Sequence, residues 1–160
     1  MEMAQIKDDS LRFLRAKENI TAVIATTSEA GIPHAAVVYY FVDEDFNFYF
    51  LTATASRKYE NLSANHQMAI AIGFGPKYVT IQGQGEATLL EKRSEEEGQA
   101  IAKIYMRLEA NDSTWPAFQL DKNDSEQMAV FKFIPHSLTL LNLEPDNNLL
   151  VTNEDLQPII

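Results

Sequence analysis

Apolar residues first recur at helical spacing. Ile6, Leu11, Phe13 and Leu14 sit among charged neighbours, which predicts a short helix from Ala4 to Lys17. The pattern then changes to short β-branched and aromatic runs. Ile20–Thr26 predicts a strand, Glu29-Ala30-Gly31 a turn with Gly31 free to take positive φ, and Pro33–Phe41 a second strand. The acidic tip Asp43-Glu44-Asp45 leads into a third strand, Asn47–Leu51, and the spacing of all three predicts an antiparallel meander. A helix follows over Arg57–Ala64, with Ser56 as its N-cap. Met68–Phe74 is nearly all apolar and reads as a buried strand, broken by Gly75-Pro76. Tyr78–Leu90 is long for a strand, and Gly83 and Gly85 inside it predict a bulge or sharp bend.

The clearest helix start is Ser94-Glu95-Glu96-Glu97, a capping box that precedes an apolar face of Ile101, Ile104, Tyr105 and Leu108. Its acids come first and Lys103 and Arg107 later, as the macrodipole favours. After a loop holding Trp115-Pro116, Met128–Ile134 and Ser137–Leu143 read as two strands separated by Pro135. Six or seven strands, few helices and one bent long strand predict a small closed β-barrel with flanking helices. The 160 residues read as one domain: a helix over 1–18, a core over about 20–143 and a C-terminal tail over 144–160.

Composition narrows the class. The chain is 46% hydrophobic and 22% charged, which is globular rather than disordered. No apolar run nears the roughly 18 residues that cross a bilayer, and the first residues lack a signal-peptide pattern, so a cytoplasmic location is expected. Without cysteine there is no disulfide, thiol nucleophile or thiolate metal site. The net charge of −10 is uneven: −3 over residues 1–108 and −7 over 109–160. Such a surface repels nucleic acid and anionic membranes, so neither is expected as a partner. A small anion can still bind where the local potential is positive.

One such place stands out. Between Asn19 and Glu91 the only Lys or Arg residues are Arg57, Lys58 and Lys77. The aromatic strand ending in Leu51-Thr52 brings hydroxyls, a helix N-terminus and the Arg57-Lys58 pair to one point, which would cradle a phosphate. A surface turn with two solvated cations is the alternative reading. The other constellations are weaker. His34, His66 and His136 lack ligand spacing, so no metal is expected. Glu95–Glu97 reads as helix N-terminal charge and Asp43–Asp45 as a solvated turn. No dinucleotide fingerprint or nucleophile elbow occurs, and Gly83-Gln84-Gly85 lacks the helix a fingerprint needs.

Five stretches in order resemble the pyridoxamine 5′-phosphate oxidase-like FMN-binding split-barrel proteins. Thr26 to Pro33 is similar to the family's T-x-x-x-x-G-x-P hairpin, and Phe50-Leu51-Thr52 with Ser56-Arg57-Lys58 to its strand and S-R-K phosphate element. Asn61-Leu62 with Asn65-His66 stands where N-L-x-x-N-P is common. Ile81 to Ala87 is similar to the I-x-G-x-A strand and Phe131 to Pro135 to the late F-x-x-x-P strand. The resemblance spans roughly Ile20 to Leu143.

It implies a split barrel of six or seven mostly antiparallel strands, the cofactor FMN, and a homodimer with the cofactor at its interface. Arg57 and Lys58 would hold the phosphate, with Thr52, beside Leu51, and Ser56 supplying hydroxyls. The strand segment Ala35, Ala36, Val37, Val38 and Tyr39 would run its backbone along the isoalloxazine edge. Lys77, Tyr78 and Trp115 would reach the flavin from the second subunit. Pyridoxamine phosphate oxidases proper carry a C-terminal Arg-x-His segment for the substrate, and this sequence has no Arg-x-His. The expected activity is therefore that of an oxidoreductase or flavin reductase on another small molecule, with no side chain named as catalytic. Two rivals share the fold: a deazaflavin-dependent reductase, and a non-enzymatic flavin- or haem-binding protein.

Overall fold

The computed structural model describes residues 2–73, 78–111, 125–143 and 155–160. The first element is α1 (Met3–Leu14), whose buried positions Ile6, Ser10 and Leu14, four residues apart, lie on one face. Three strands follow: β1 (Thr21–Thr27), β2 (Pro33–Val42) and β3 (Phe48–Ala53). They form the expected meander, with Val23 opposite Val37 and Phe41 opposite Tyr49. Gly31, at φ +80, makes the first turn. The second turn is organised by Asp43, whose carboxylate accepts from the Asp45 and Asn47 backbone N–H groups at 3.0 and 2.9 Å. It also accepts from Asn47 Nδ2 and the Tyr49 hydroxyl. This is an ordered turn and not merely a solvated one.

Next come α2 (Arg57–Ala64), β4 (Gln67–Gly73), β5 (Val79–Leu89) and α3 (Glu95–Ala110). Ser56 and Ser94 cap the two helices as the sequence predicts, accepting from the N–H groups of Tyr59 and Glu97. β4 corrects an expectation. It alternates strictly, with Met68, Ile70 and Ile72 buried and Ala69 and Ala71 exposed, so only one face is covered. Alanines on the outer face had made the run look uniformly apolar.

The last long strand is β6 (Met128–Asn142), a single 15-residue element rather than two. Pro135 lies within it because the β5–β6 register shifts at Gln84/Gly85, where a missing ladder N–H is tolerated. Gly85 makes the shift possible: a Cβ there would stand 2.2 Å from the Ile134 carbonyl oxygen and 2.7 Å from Pro135 Cα. The strand order β3-β2-β1-β4-β5-β6 closes through a β3–β6 pairing with Phe48 opposite Phe133, and every pairing is antiparallel. Among the described residues the architecture is thus a closed six-stranded barrel with three α-helices and one short added strand, β7 (Gln157–Pro158), on the far half of β6. Ile159, in the stretch expected to be a tail, is fully buried in the core.

Aromatic side chains line the seam where the barrel closes. Phe50 stacks on Phe131 with centroids 5.6 Å apart, and Phe48 meets Phe133 at 6.0 Å. Tyr59 of α2 meets the Phe131 ring edge-on at 5.9 Å, and Leu62 is fully buried. Burying a Leu-sized side chain contributes about 1.5–3 kcal/mol, so these contacts hold α2 on the barrel and fix where its N-terminus points.

Candidate functional site

The β2–β3 ladder is short. It joins only Tyr40–Val42 to Phe48–Phe50. Beyond it the strands part, because β3 pairs onward with β6 through Ala53 and Met128 while β2 stays with β1 down to Thr27 and Pro33. The gap is a cavity of about 360 Å³. Val37, Val38 and Tyr39 form one wall, and Leu51, Thr52 and Ala53 the other. Thr21 and Met128 flank them, and Ile104, Tyr105 and Leu108 of α3 cover the cavity. A volume of this size lies within the roughly 300–1,000 Å³ of small-molecule sites.

One end is polar. Ser56 and Lys58 line it, and Lys58 is the one cation among the described lining residues. Thr52 Oγ1 and Ser56 Oγ are 2.7 Å apart, and Ser56 Oγ also accepts from the Tyr59 N–H at 3.2 Å. When Thr52 is the donor of that pair, Ser56 keeps its own proton for an anion. The first N–H groups of α2, at Arg57 and Lys58, have no intrahelical acceptor and carry the positive end of the helix dipole. The rest of the lining is mainly apolar and aromatic, with Tyr39, Ile104, Tyr105 and Leu108, while Met128 lies beside Ala53 near the polar end. Burial raises the Tyr105 phenol above its ordinary pKa, so this ring is neutral across the physiological range.

Seven predicted positions therefore meet in one cavity: Val37, Val38, Tyr39, Leu51, Thr52, Ser56 and Lys58. Others do not. Ala35 is exposed on the outer face of β2, and Ala36 is half-buried and packs against the core. Arg57 is exposed and does not line the cavity. Tyr78 is exposed at φ +47 and is also absent from the lining. Lys77 and Trp115 lie outside the described residues. Sequence reasoning missed Thr21, Ala53, Met128 and the α3 residues. The apolar face of α3 was legible, but as core packing and not as a cavity wall.

The three histidines stay apart. The His34 ring Nδ1 lies 3.4 Å from Asn61 Nδ2, which donates to Thr26 Oγ1, and the His66 ring approaches the Ala87 carbonyl at 3.2 Å. None of the three lines the cavity. Among the described residues no group of three His, Asp or Glu side chains could hold a metal ion. No described helix is long and apolar enough to cross a membrane.

Comparison with known proteins agrees with the fold. A family model described as pyridoxamine 5′-phosphate oxidase matches residues 7–142. No curated protein sequence matches the chain. Among solved structures, a pyridoxamine 5′-phosphate oxidase candidate from Listeria innocua is 23% identical with a TM-score of 0.63, covering 86% of this chain and 98% of that one. A relative of general stress protein 26 from Clostridium acetobutylicum, of the pyridoxine phosphate oxidase family, is 16% identical with a TM-score of 0.61, covering 89% and 91%. The haem storage protein HutZ from Vibrio cholerae is 16% identical with a TM-score of 0.62, covering 84% and 93%. Identities of this size speak to the fold alone.

Proposed function

The chain belongs to the pyridoxamine 5′-phosphate oxidase family, and from that premise we propose that it binds FMN in the β2–β3 cavity and works as a homodimeric oxidoreductase on a small molecule. The observation that carries this reading is the two-ended cavity. Lys58, Ser56, Thr52 and the N-terminus of α2 offer an anion donors at one end, and an aromatic, apolar slot adjoins them. FMN has that same division into a phosphate and a planar ring. When bound, it supplies hydride and electron transfer, while the protein binds, orients and limits access. Lys58 and the α2 N–H groups hold the phosphate, and the backbone of β2 near Val37–Tyr39 lies alongside the ring. Ile104, Tyr105 and Leu108 exclude water from that end.

The dimer rests on a second observation. The cavity opens beside an uncovered apolar sheet face: Val37 is 64% exposed and Val23, its register partner on β1, 46%. Ala35 and the β4 residues Ala69 and Ala71 continue the face. Val37 belongs both to the face and to the cavity wall, so a second copy seated there would complete the pocket. The deciding measurement is the absorption spectrum of the purified protein with mass spectrometry of the released cofactor. Flavin bands and the mass of FMN are expected. A Soret band, or a deazaflavin mass, would replace this reading with one of its rivals.

A further inference from the structure

The outer wall of the cavity is a helix, and a helix laid over a barrel needs something to hold it there. Ile104, Tyr105 and Leu108 face the cavity from α3, and Arg107 stands between them in sequence without lining it. The Arg107 guanidinium donates to two backbone carbonyls: Leu14, the last residue of α1, at 3.1 Å, and Asn19, in the segment that leads into β1. It also lies over the Tyr40 ring, 4.8 Å from its centroid. The Tyr40 hydroxyl donates to the same Leu14 carbonyl at 2.7 Å. Four residues on, Asn111 Nδ2 donates to the Lys17 carbonyl at 2.7 Å. The Leu14 carbonyl at the C-terminus of α1 lacks an intrahelical donor, and the Lys17 and Asn19 carbonyls lie in the connection to β1, so this stretch gives α3 acceptors to grip. Tyr40 sits on β2 directly after Val38 and Tyr39, which form the facing wall. One side chain thus ties α3, β2 and the end of α1 together.

We infer that Arg107 is a positioning residue of this cavity: it fixes the α3 wall against β2 and so sets how tightly the apolar end closes on a planar ring. This rests on the flavin reading for the identity of the ring, but not for the clamp itself. The far end of α3 is held by a different set of contacts. There Lys132 Nζ meets Glu96 Oε1 at 2.9 Å, the Tyr49 hydroxyl donates to the same oxygen at 3.2 Å, and Ala100 packs with Tyr49 and Val130, none of them at the cavity. Arg107 acts through a planar fork that serves two carbonyls and an aromatic face at once. Lysine keeps the charge but offers no fork.

The test is Arg107→Lys, compared with Lys58→Ala, measured by fluorescence titration of the apo-protein with FMN and with riboflavin. Hydrogen exchange of the amides over 104–110 is followed in parallel. Arg107→Lys should weaken FMN and riboflavin by the same factor, roughly tenfold, the loss expected when a loosened α3 leaves the closed cavity about one-tenth populated. Exchange over 104–110 should rise while that of α2 stays unchanged. Lys58→Ala should weaken FMN alone. Unchanged affinity for both flavins would overturn the inference even if Arg107→Lys lowered the melting temperature, since a merely structural role predicts that result. A loss confined to FMN would overturn it too, by placing Arg107 at the phosphate. If the wild type binds neither flavin, the FMN reading fails, and the exchange measurement then judges the clamp: faster exchange over 104–110 supports it and unchanged exchange refutes it.

Discussion

Lys58→Ala isolates the phosphate end of the cavity from the rest. Lys58 is half-buried at the cavity edge, next to the Thr52–Ser56 hydroxyl pair and the first turn of α2. A charge-assisted hydrogen bond there contributes about 1.5–3 kcal/mol, which corresponds to a loss of roughly 10- to 100-fold in FMN affinity. Arg57 is exposed and outside the lining. Its charge is screened by solvent, so Arg57→Ala should cost about 1 kcal/mol or less, under about fivefold. Riboflavin lacks the phosphate, and its affinity should be unchanged by either substitution. Salt adds an independent check: FMN affinity should fall as ionic strength rises, and fall less steeply in Lys58→Ala. The assay is quenching of flavin fluorescence by apo-protein at fixed pH and two salt concentrations. Equal losses for FMN and riboflavin in Lys58→Ala would refute the assignment of this end to phosphate. A larger loss in Arg57→Ala than in Lys58→Ala would show that the phosphate lies outside the cavity.

Other outcomes follow from the same geometry. Light scattering of the wild type should give about twice the 18.1 kDa chain mass. Val23→Glu, which buries a charge in the proposed interface without touching the cavity, should give a monomer; a dimer unchanged by it would point to another face. Gly85→Ala should lower stability in urea unfolding by about 1–3 kcal/mol or more, because its methyl meets the β6 backbone; a neutral result would mean that the bulge can relax. The hydroxyls of Tyr40 and Tyr49 are each raised to about 12, in both cases chiefly by burial. The folded protein therefore keeps protons that the unfolded chain releases near pH 10, so stability should fall as pH rises from about 10 to 12. Tyr40→Phe should flatten that fall in pH-dependent denaturation curves, and an unaltered slope would show that Tyr40 does not contribute to it.

Much of this molecule could be read locally. Caps, turns and strand alternation depend on neighbours a few residues away, so Ser56 and Ser94 announced their helices and Gly31 its turn. The phosphate end of the cavity was legible for the same reason: Thr52, Ser56 and Lys58 lie within one strand–turn–helix segment. The sequence predicted the meander and a closed barrel, but not which distant residues the closure brings together. Met128 reaches the cavity only because β6 closes the barrel against β3, and Thr21 because β1 lies beside β2. Pro135 looked like a strand break, and only its partner Gly85 on β5 shows that one strand can carry it. The apolar face of α3 was visible, but amphipathic spacing says only that a face is covered, not what it covers. Docking decides that, through Arg107 gripping the Leu14 and Asn19 carbonyls, and it turns an apolar stripe into the wall of a cavity.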